Sequence, residues 1–470
     1  MEAPSTDLRD PPKTWMGALW RYHPRLVVAA LLVVSGLVAW RLAVHYTSHP
    51  PAVTRSAAEL QIDVSRATGA QREPVATAGA GGLLAASEDD SGRIRVYRSN
   101  GDGRGWRSTL LPSPLRCAQD PAVAAGGGRA YVAFVAAPRC PSPVGGFPLA
   151  GKLVLAGSGG GGWKLATPVP GVAREPALAV DERPGSPHRG RLYLSWVRGA
   201  GDDDRALLVS HSDDAGRSWS RSGRVAPAFN SPSEASLAVG TGGRLYLAFA
   251  DDDFSGVWVT RAEGAAFARP ERVALYASTR FIICIDRGKA AIVAQPLRCV
   301  GPRPTISVDR RGDVYVSYAA DEANRTQGVF AAVFSPGLRW IVRDPLTKAG
   351  VRIGQSDPLG RKSDQFLPVS ALGADGSFWA CWYDTAGDWS QKQAWFTCAV
   401  SRDRGRSWSR PFRAANRPSI EFETSRAGYG DGAGLAILGD TAHPLWTDTR
   451  RVASLREEIY ATSLAARELR

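Results

Sequence analysis

The sequence predicts an all-β chain: a β-propeller of about seven four-stranded blades, with six as the alternative count, preceded by one N-terminal transmembrane helix. Three observations lead there. The composition is rich in Gly (50), Pro (32) and Trp (15), and no long stretch sustains a 3.6-residue apolar period, which suits short strands joined by turns. A strand-turn-strand phrase recurs at a spacing from the high forties to about seventy residues, the size of a propeller blade. An uncharged apolar run lies near the N-terminus.

That run, Leu26 to Trp40, approaches the roughly 20 residues needed to cross a bilayer once Arg25, Arg41 and the amphipathic stretch to Tyr46 are included. Arg9, Lys13, Arg21 and Arg25 precede it, whereas Arg41 and Arg55 follow, so the positive-inside bias places the N-terminus in the cytoplasm and the remainder outside. A cleaved signal peptide is the rival reading, but the segment before the run is long and no small-x-small site follows Trp40. The expected organisation is a cytoplasmic tail over 1–24, an anchor over 25–46, a linker over 47–57 and a propeller over 58–470, with an insertion at about 275–299.

The first strand of each repeat opens on a similar phrase: Glu73-Pro-Val-Ala-Thr, Asp120-Pro-Ala-Val-Ala, Glu175-Pro-Ala-Leu-Ala-Val, Glu234-Ala-Ser-Leu-Ala-Val, Arg303-Pro-Thr-Ile-Ser-Val, Phe366-Leu-Pro-Val-Ser and Asp431-Gly-Ala-Gly-Leu-Ala-Ile. A second strand follows a turn, as in Ala130-Tyr-Val-Ala-Phe and Leu192-Tyr-Leu-Ser-Trp, and a third comes after it, as in Leu207-Leu-Val-Ser and Trp395-Phe-Thr-Cys-Ala. At the end of the third strand stands a decorated turn, S-x-D-x-G-x-x-W. Ser212, Asp214, Gly216 and Trp219 form one full copy, and Ser401, Asp403, Gly405 and Trp408 the other. Partial copies carry Trp106, Trp163, Phe267 and Trp340. Six copies of one turn point to scaffolding. The carboxylate closes the turn, Gly supplies positive φ, and the ring begins the next strand and buries apolar area. The last repeat has three strands and no such turn, and Leu60 to Ser65 supplies the missing outer strand.

Six cysteines, an even number, suit disulfides in an exported domain. Neighbouring pairs are the simplest arrangement, and Cys381 with Cys398 is the best placed, on strands flanking one turn. Cys284 with Cys299 would close the insertion. The net charge of +13 could draw an anionic partner, but no run of five basic residues occurs, and no nucleic-acid module is visible. Asp202 to Asp204 and Asp251 to Asp253 have the hard oxygen ligands of Ca²⁺ sites but read as solvated loops. Gly157 to Gly162 satisfies G-x-G-x-x-G yet precedes Trp163 rather than a helix, and no H-E-x-x-H, G-x-S-x-G or P-loop occurs. Neither metal nor cofactor is expected.

The repeated turn resembles the Asp box, or bacterial neuraminidase repeat, of the sialidase-like β-propeller superfamily, over about residues 58 to 465. The resemblance implies that the box is remote from any active site. It also implies the residues of sialidase chemistry, an arginine triad, a Tyr/Glu nucleophile pair and a carboxylic acid. On this chain Arg72, in Gln71-Arg-Glu-Pro74, matches the first arginine, and Glu88 or Asp89 the acid. Glu234 matches the glutamate that precedes the second arginine, but the chain then reads Phe249-Ala-Asp-Asp-Asp253, without that arginine. Tyr429 stands for the nucleophile, and Arg303 and Arg450 for the third arginine. Seven blades are also one more than the sialidase enzymes have. The leading expectation is therefore recognition of a carbohydrate or protein ligand at the propeller axis by a membrane-anchored, extracytoplasmic module. The alternatives are a divergent exo-sialidase-type glycoside hydrolase and a structural scaffold of an envelope assembly.

Overall fold

The computed structural model describes residues 61–465 except 67–69, 80, 102, 141–149, 160, 161, 200–204, 228, 230, 231, 252–255, 265, 276–291, 295–299, 322–325, 346, 354–362, 422–428, 430, 431 and 451–456, together with residues 32 and 35. The chain divides into two units, 1–52 and 53–470. Apart from Leu32 and Ser35, the expected tail, anchor and linker lie outside the described residues, as do most of the insertion, the Asp202 to Asp204 loop, and Cys284 and Cys299. Among the described residues no helix is long and apolar enough to cross a membrane.

The second unit is a seven-bladed propeller, which settles the count that the sequence left between six and seven. Blade 3 shows the plan: an inner strand Ala173–Val180, then Leu192–Arg198, Ala206–Ser212 and an outer strand Gly223–Arg224, each antiparallel to the one before. The inner strands of blades 1, 2, 4, 5, 6 and 7 are Gln71–Gly79, Cys117–Gly126, Ser233–Val239, Thr305–Val308, Gln365–Leu372 and Gly434–Leu438. Blade 7 takes its outer strand from the other end of the domain. Ile62 pairs with Ala461 and Asp63 with Tyr460, and the Val64 N–H donates to the Ile459 carbonyl at 2.8 Å. This is the closure expected of Leu60 to Ser65.

Strand periodicity explains why the blades form a ring. Successive residues of a strand point to opposite faces, so a second strand that is apolar throughout needs a neighbour on both sides. In blade 2, Val132, Phe134 and Ala136 pack toward blade 1, while Tyr131 and Ala133 pack toward blade 3. In blade 6, Phe378, Ala380 and Trp382 face blade 5, and Trp379, Cys381 and Tyr383 face blade 7. Each of the seven junctions holds one buried cluster.

The repeated turns complete those clusters. Ser212 Oγ donates to Asp214 Oδ1 (2.8 Å) and accepts the Gly216 N–H (2.8 Å), while Asp214 Oδ1 also accepts the Arg217 and Ser218 N–H groups (3.0 and 2.8 Å). Ser401, Asp403, Gly405 and Ser407 repeat the pattern. Gly216 and Gly405 have φ of 88° and 81°, which an L side chain adopts only with strain. The six rings then go to six different junctions: Trp106 to 7/1, Trp163 to 1/2, Trp219 to 2/3, Phe267 to 3/4, Trp340 to 4/5 and Trp408 to 5/6. Junction 6/7, where the last repeat has no box, is filled by Trp379, Trp446, Phe412 and Tyr429 instead. Disulfides join Cys381 to Cys398, across the paired second and third strands of blade 6, and Cys117 to Cys140 in blade 2.

Replacing Trp219 by Ala removes one half-buried wedge, and we expect a loss of about 2 kcal/mol, below the range for a fully buried Trp. Thermal or denaturant unfolding of the variant checks this. Unchanged stability would show that the ring is not a wedge.

Candidate functional site

The phrase that opens each inner strand has a common backbone. Glu73, Asp120, Glu175, Glu234, Arg303 and Leu367 all have left-handed φ, between 44° and 57°. In five blades the ladder shifts register there. In blade 1, for example, Arg72 pairs with Glu88 but the next pair is Val75 with Ala86, so Glu73 and Pro74 together oppose Ser87. The corresponding shifts fall between Gln119 and Ala122, Arg174 and Ala177, Ser233 and Ser236, and Phe366 and Val369. These are β-bulges, which leave one residue outside the ladder and re-aim its side chain. Proline follows the left-handed residue in all but blade 4, which suits a position that needs no ladder donor.

A left-handed non-glycine residue costs of order 1–3 kcal/mol and persists only when its surroundings hold it. Here the neighbouring blade does so. Glu88 Oε1 accepts the Asp120 N–H at 2.9 Å, Asp120 Oδ2 accepts the Glu175 N–H at 3.4 Å, Glu175 Oε2 accepts the Glu234 N–H at 2.7 Å, and Glu234 Oε2 accepts the Arg303 N–H at 2.8 Å. Thr447 Oγ1 of blade 7 accepts the Glu73 N–H at 3.2 Å. The bulges are thus stitched blade to blade from 7 through 1 to 5, and the stitching groups are mostly carboxylates.

The result is an acidic ring at one end of the inner strands. Glu73, Glu88 and Asp120 can bring one carboxylate oxygen each within 4.8 Å of one another. Asp120 is largely enclosed, and burial, with the charges of Glu73 and Glu175, pushes its pKa up to about 8. Arg303 pulls the same group the other way, which places its charge within reach of Asp120 although it comes from blade 5. The side chains of Glu73, Glu88, Asp120, Glu175 and Glu234 are all half-buried. They can accept hydrogen bonds from a ligand, and Asp120 can hold a proton at neutral pH. Three such oxygens could also coordinate a hard cation.

The opposite end of the inner strands is bridged by one side chain. From the loop after Val180, Arg183 donates Nε to the Val239 carbonyl of blade 4 at 2.7 Å and Nη2 to the Val308 carbonyl of blade 5. Its neighbour Glu182 accepts the Gly127 N–H of blade 2 at 2.8 Å. The Asp-box turns also lie at this end, since in blade 3 Ser212 pairs with Leu192, whereas the bulge sits near Val197 and Arg198.

Of the residues singled out in the sequence, the structure brings Arg72, Glu88, Glu234 and Arg303 to the ring. Arg72 is already placed between Glu88 (3.8 Å) and Glu457 (3.5 Å), and Arg303 Nε lies 3.2 Å from Glu234. The others go elsewhere. Asp89 caps its own turn through the Ser91 N–H (3.0 Å) and pairs with Arg95 at 2.8 Å. Arg450 pairs with Asp448, bonds Gln61 beside the outer strand of blade 7, and lies 4.0 Å over the Tyr460 ring. Tyr429 is wholly buried between Phe366 and Tyr383, with its hydroxyl donating to the Ser419 carbonyl at 2.9 Å, and burial drives its pKa far up. Asp120 and Glu175 were not singled out as site residues. Their signal is the recurrent acidic residue before proline, which reads as an ordinary strand start until the bulges converge.

No family model matches the chain, and no curated protein matches it. Among solved structures it is similar to an ulvan lyase of a new polysaccharide lyase family, at 10% identity over 87% of this chain and 98% of that one, with a TM-score of 0.49. It is similar also to a Hadza microbial sialidase, at 11% identity over 83% and 75% of the two chains, TM-score 0.44. A third is the alpha-L-arabinanase of Penicillium chrysogenum, at 14% identity over 87% and 99%, TM-score 0.43.

The raised pKa of Asp120 makes stability depend on pH with a definite sign. The folded state holds this proton up to about pH 8, whereas the unfolded chain releases it near 3.8, so the stabilisation is present at low pH and is lost as pH rises through about 8. Asp120→Asn keeps an acceptor for Glu175 and removes the charge. The variant is expected to gain thermal stability over the parent at pH 8–9 and to lose that advantage at pH 4. A difference independent of pH would contradict the placement of this proton.

Proposed function

We propose that the propeller binds a neutral carbohydrate at the acidic end of its channel. The observation that carries this reading is the ring itself: five carboxyl groups from four blades, with the two arginines of the ring already beside carboxylates. Carboxylates accept strong hydrogen bonds from hydroxyl groups, and they repel an anionic sugar unless free arginines offset them. A sialoside would have to draw Arg72 away from Glu88 and Glu457, and Arg303 away from Glu234.

We further propose that segment 25–46 holds the chain in a membrane with the propeller outside the cytosol. The two disulfides support the placement of the propeller outside the cytosol, because such bonds persist in oxidising compartments. A second reading, a divergent glycoside hydrolase, is favoured by one observation. Asp120 keeps its proton at neutral pH beside Glu73 and Glu88, which is the pairing of acid and carboxylate that glycoside cleavage uses.

Affinity electrophoresis of the full-length chain in detergent, through gels containing arabinan, galactan, xylan or polysialic acid, tests the binding reading. We expect retardation by a neutral polymer and none by polysialic acid. Glu175→Gln and Glu234→Gln, which keep the stitching acceptor, should each weaken retardation about tenfold, the worth of one charged hydrogen bond. Release of sialic acid from an aryl sialoside, abolished in Arg72→Ala, would replace this reading by the sialidase one. Reducing sugar released from a neutral polymer and lost in Asp120→Asn would establish the hydrolase.

A further inference from the structure

The partial box of blade 5 departs from the full ones in a way that leaves charge unopposed. Ser335 and Trp340 stand five residues apart, against seven in the full copies, and no carboxylate lies between them. Ser335 closes the shorter turn: its Oγ accepts the Arg339 N–H at 3.1 Å and its carbonyl the Leu338 N–H at 2.8 Å, with Leu338 left-handed at φ 59°. In the full boxes the residue before the tryptophan is a serine bonded to the box carboxylate, as Ser218 is to Asp214 at 2.6 Å. In blade 5 that place belongs to Arg339.

A cleft of about 580 Å³ opens beside this turn, within the roughly 300–1,000 Å³ of small-ligand sites. Its walls come from two blades: Leu338 to Ile341 and Arg343 around the outer strand Trp340–Val342 of blade 5, and Glu271 at the start of strand Glu271–Leu275 of blade 4. Arg339 and Arg343 are exposed, and among the described residues their guanidinium groups make no ion pair or hydrogen bond, with Glu271 or any other. Trp340 is half-buried against Phe334, with ring centroids 4.4 Å apart. In blade 2 the equivalent ring, Trp163, lies 4.9 Å under Arg98 of blade 1, which pairs with Leu84. The corresponding Arg261 of blade 4, which pairs with Tyr246, is held by Glu263 at 2.7 Å and by the Pro336 carbonyl at 3.1 Å instead, so Trp340 stays a wall of the cleft. The cleft is also remote from the acidic ring. Trp340 pairs with Phe334 and Phe334 with Val314, at one end of a strand whose other end, by Ala319, bonds the Pro302 carbonyl next to Arg303.

We infer that this cleft binds a phosphate monoester, with Arg339 and Arg343 on the phosphoryl oxygens and Trp340 and Ile341 against the organic portion. Two guanidinium groups facing one carboxylate leave the cleft short of negative charge. A phosphate monoester has about −1.5 to −2 charges at pH 7 and three acceptor oxygens, enough for both arginine forks, whereas a carboxylate offers one charge and two oxygens. The half-buried indole and Ile341 give the carbon skeleton of the ester an apolar wall, which makes the free ion the poorer ligand. Soluble phosphate esters and phosphatidic acid headgroups share this chemistry. The inference is independent of carbohydrate binding at the channel.

Calorimetric titration of the full-length chain in a non-ionic, phosphate-free detergent tests this, with phenyl phosphate, inorganic phosphate and benzoate as probes. Phenyl phosphate should bind at least about threefold tighter than inorganic phosphate and about tenfold tighter than benzoate. Arg339→Ala and Arg343→Ala, at exposed positions and with the melting temperature of the parent, should each weaken its binding about tenfold, as expected for one charge-assisted hydrogen bond. Glu271→Gln, which removes the opposing charge, should tighten it. Arg410→Ala, at an exposed position of blade 6, and Glu175→Gln in the channel should titrate as the parent does. Dihexanoyl phosphatidic acid distinguishes the sources: binding tighter than that of phenyl phosphate and weakened in Arg339→Ala assigns the cleft to a lipid headgroup, and weaker binding assigns it to a soluble ester. Equal affinity for phenyl phosphate and either of the other two probes, no binding of phenyl phosphate, or a titration unchanged in both arginine variants overturns the inference. Loss of binding in Glu175→Gln would place the anion at the channel and overturn it as well.

Discussion

The fold depends on one constraint: the second strand of every blade is apolar on both faces and must be covered on both. A single blade cannot meet it, nor can an open row, whose end blades would leave an apolar face and a strand edge in water. Closure meets it. Pairing Ile62 and Asp63 onto the third strand of blade 7 joins residues some 400 positions apart, so the ring is complete only when both ends of the domain are in place. The box rings serve the same requirement. Each fills the junction on the preceding side of its own blade, and the blade without a box has its junction filled by tryptophans and tyrosines from the strands.

Closure also creates the site. Inner strands brought around one axis set five bulged ends side by side, and in blades 2 to 4 the left-handed residue of the bulge donates its N–H to the preceding blade while its carboxylate accepts an N–H from the next. The carboxylates hold strained backbone, and the strained backbone crowds the carboxylates. Neither arrangement would survive alone: like charges at this spacing repel, and left-handed glutamates in an open strand would relax. The proton that burial and its neighbours keep on Asp120 eases the repulsion. At the other end Arg183 reaches from blade 3 to the carbonyl groups of the inner strands of blades 4 and 5.

How far the site was legible follows from the same geometry. Arg72, Glu88, Glu234 and Arg303 were found through local phrases, because each stands beside a recognisable strand start. The same phrases pointed equally to Asp89, one residue along, and its alternate orientation on the strand sends it into a turn with Arg95 instead. Tyr429 and Arg450 lie next to turn-like residues that resemble a site, yet one is packed between Phe366 and Tyr383 and the other against Tyr460. Glu73, Asp120 and Glu175 are visible as a repeat and read as ordinary strand starts. In the structure Asp120 and Glu175 stitch neighbouring blades, and the ring makes all three a surface as well.

The repeats, the decorated turns and the Cys381–Cys398 bridge are all local patterns, written in strand periodicity and turn chemistry that any segment shows by itself. Blade number, the meeting of carboxylates from four blades, the Asp120 proton and the cleft between blades 4 and 5 are properties of distances between segments far apart in the chain. Those distances exist only once the ring has closed, since the charge felt by a side chain and the water reaching it are set by neighbours that its own segment does not contain.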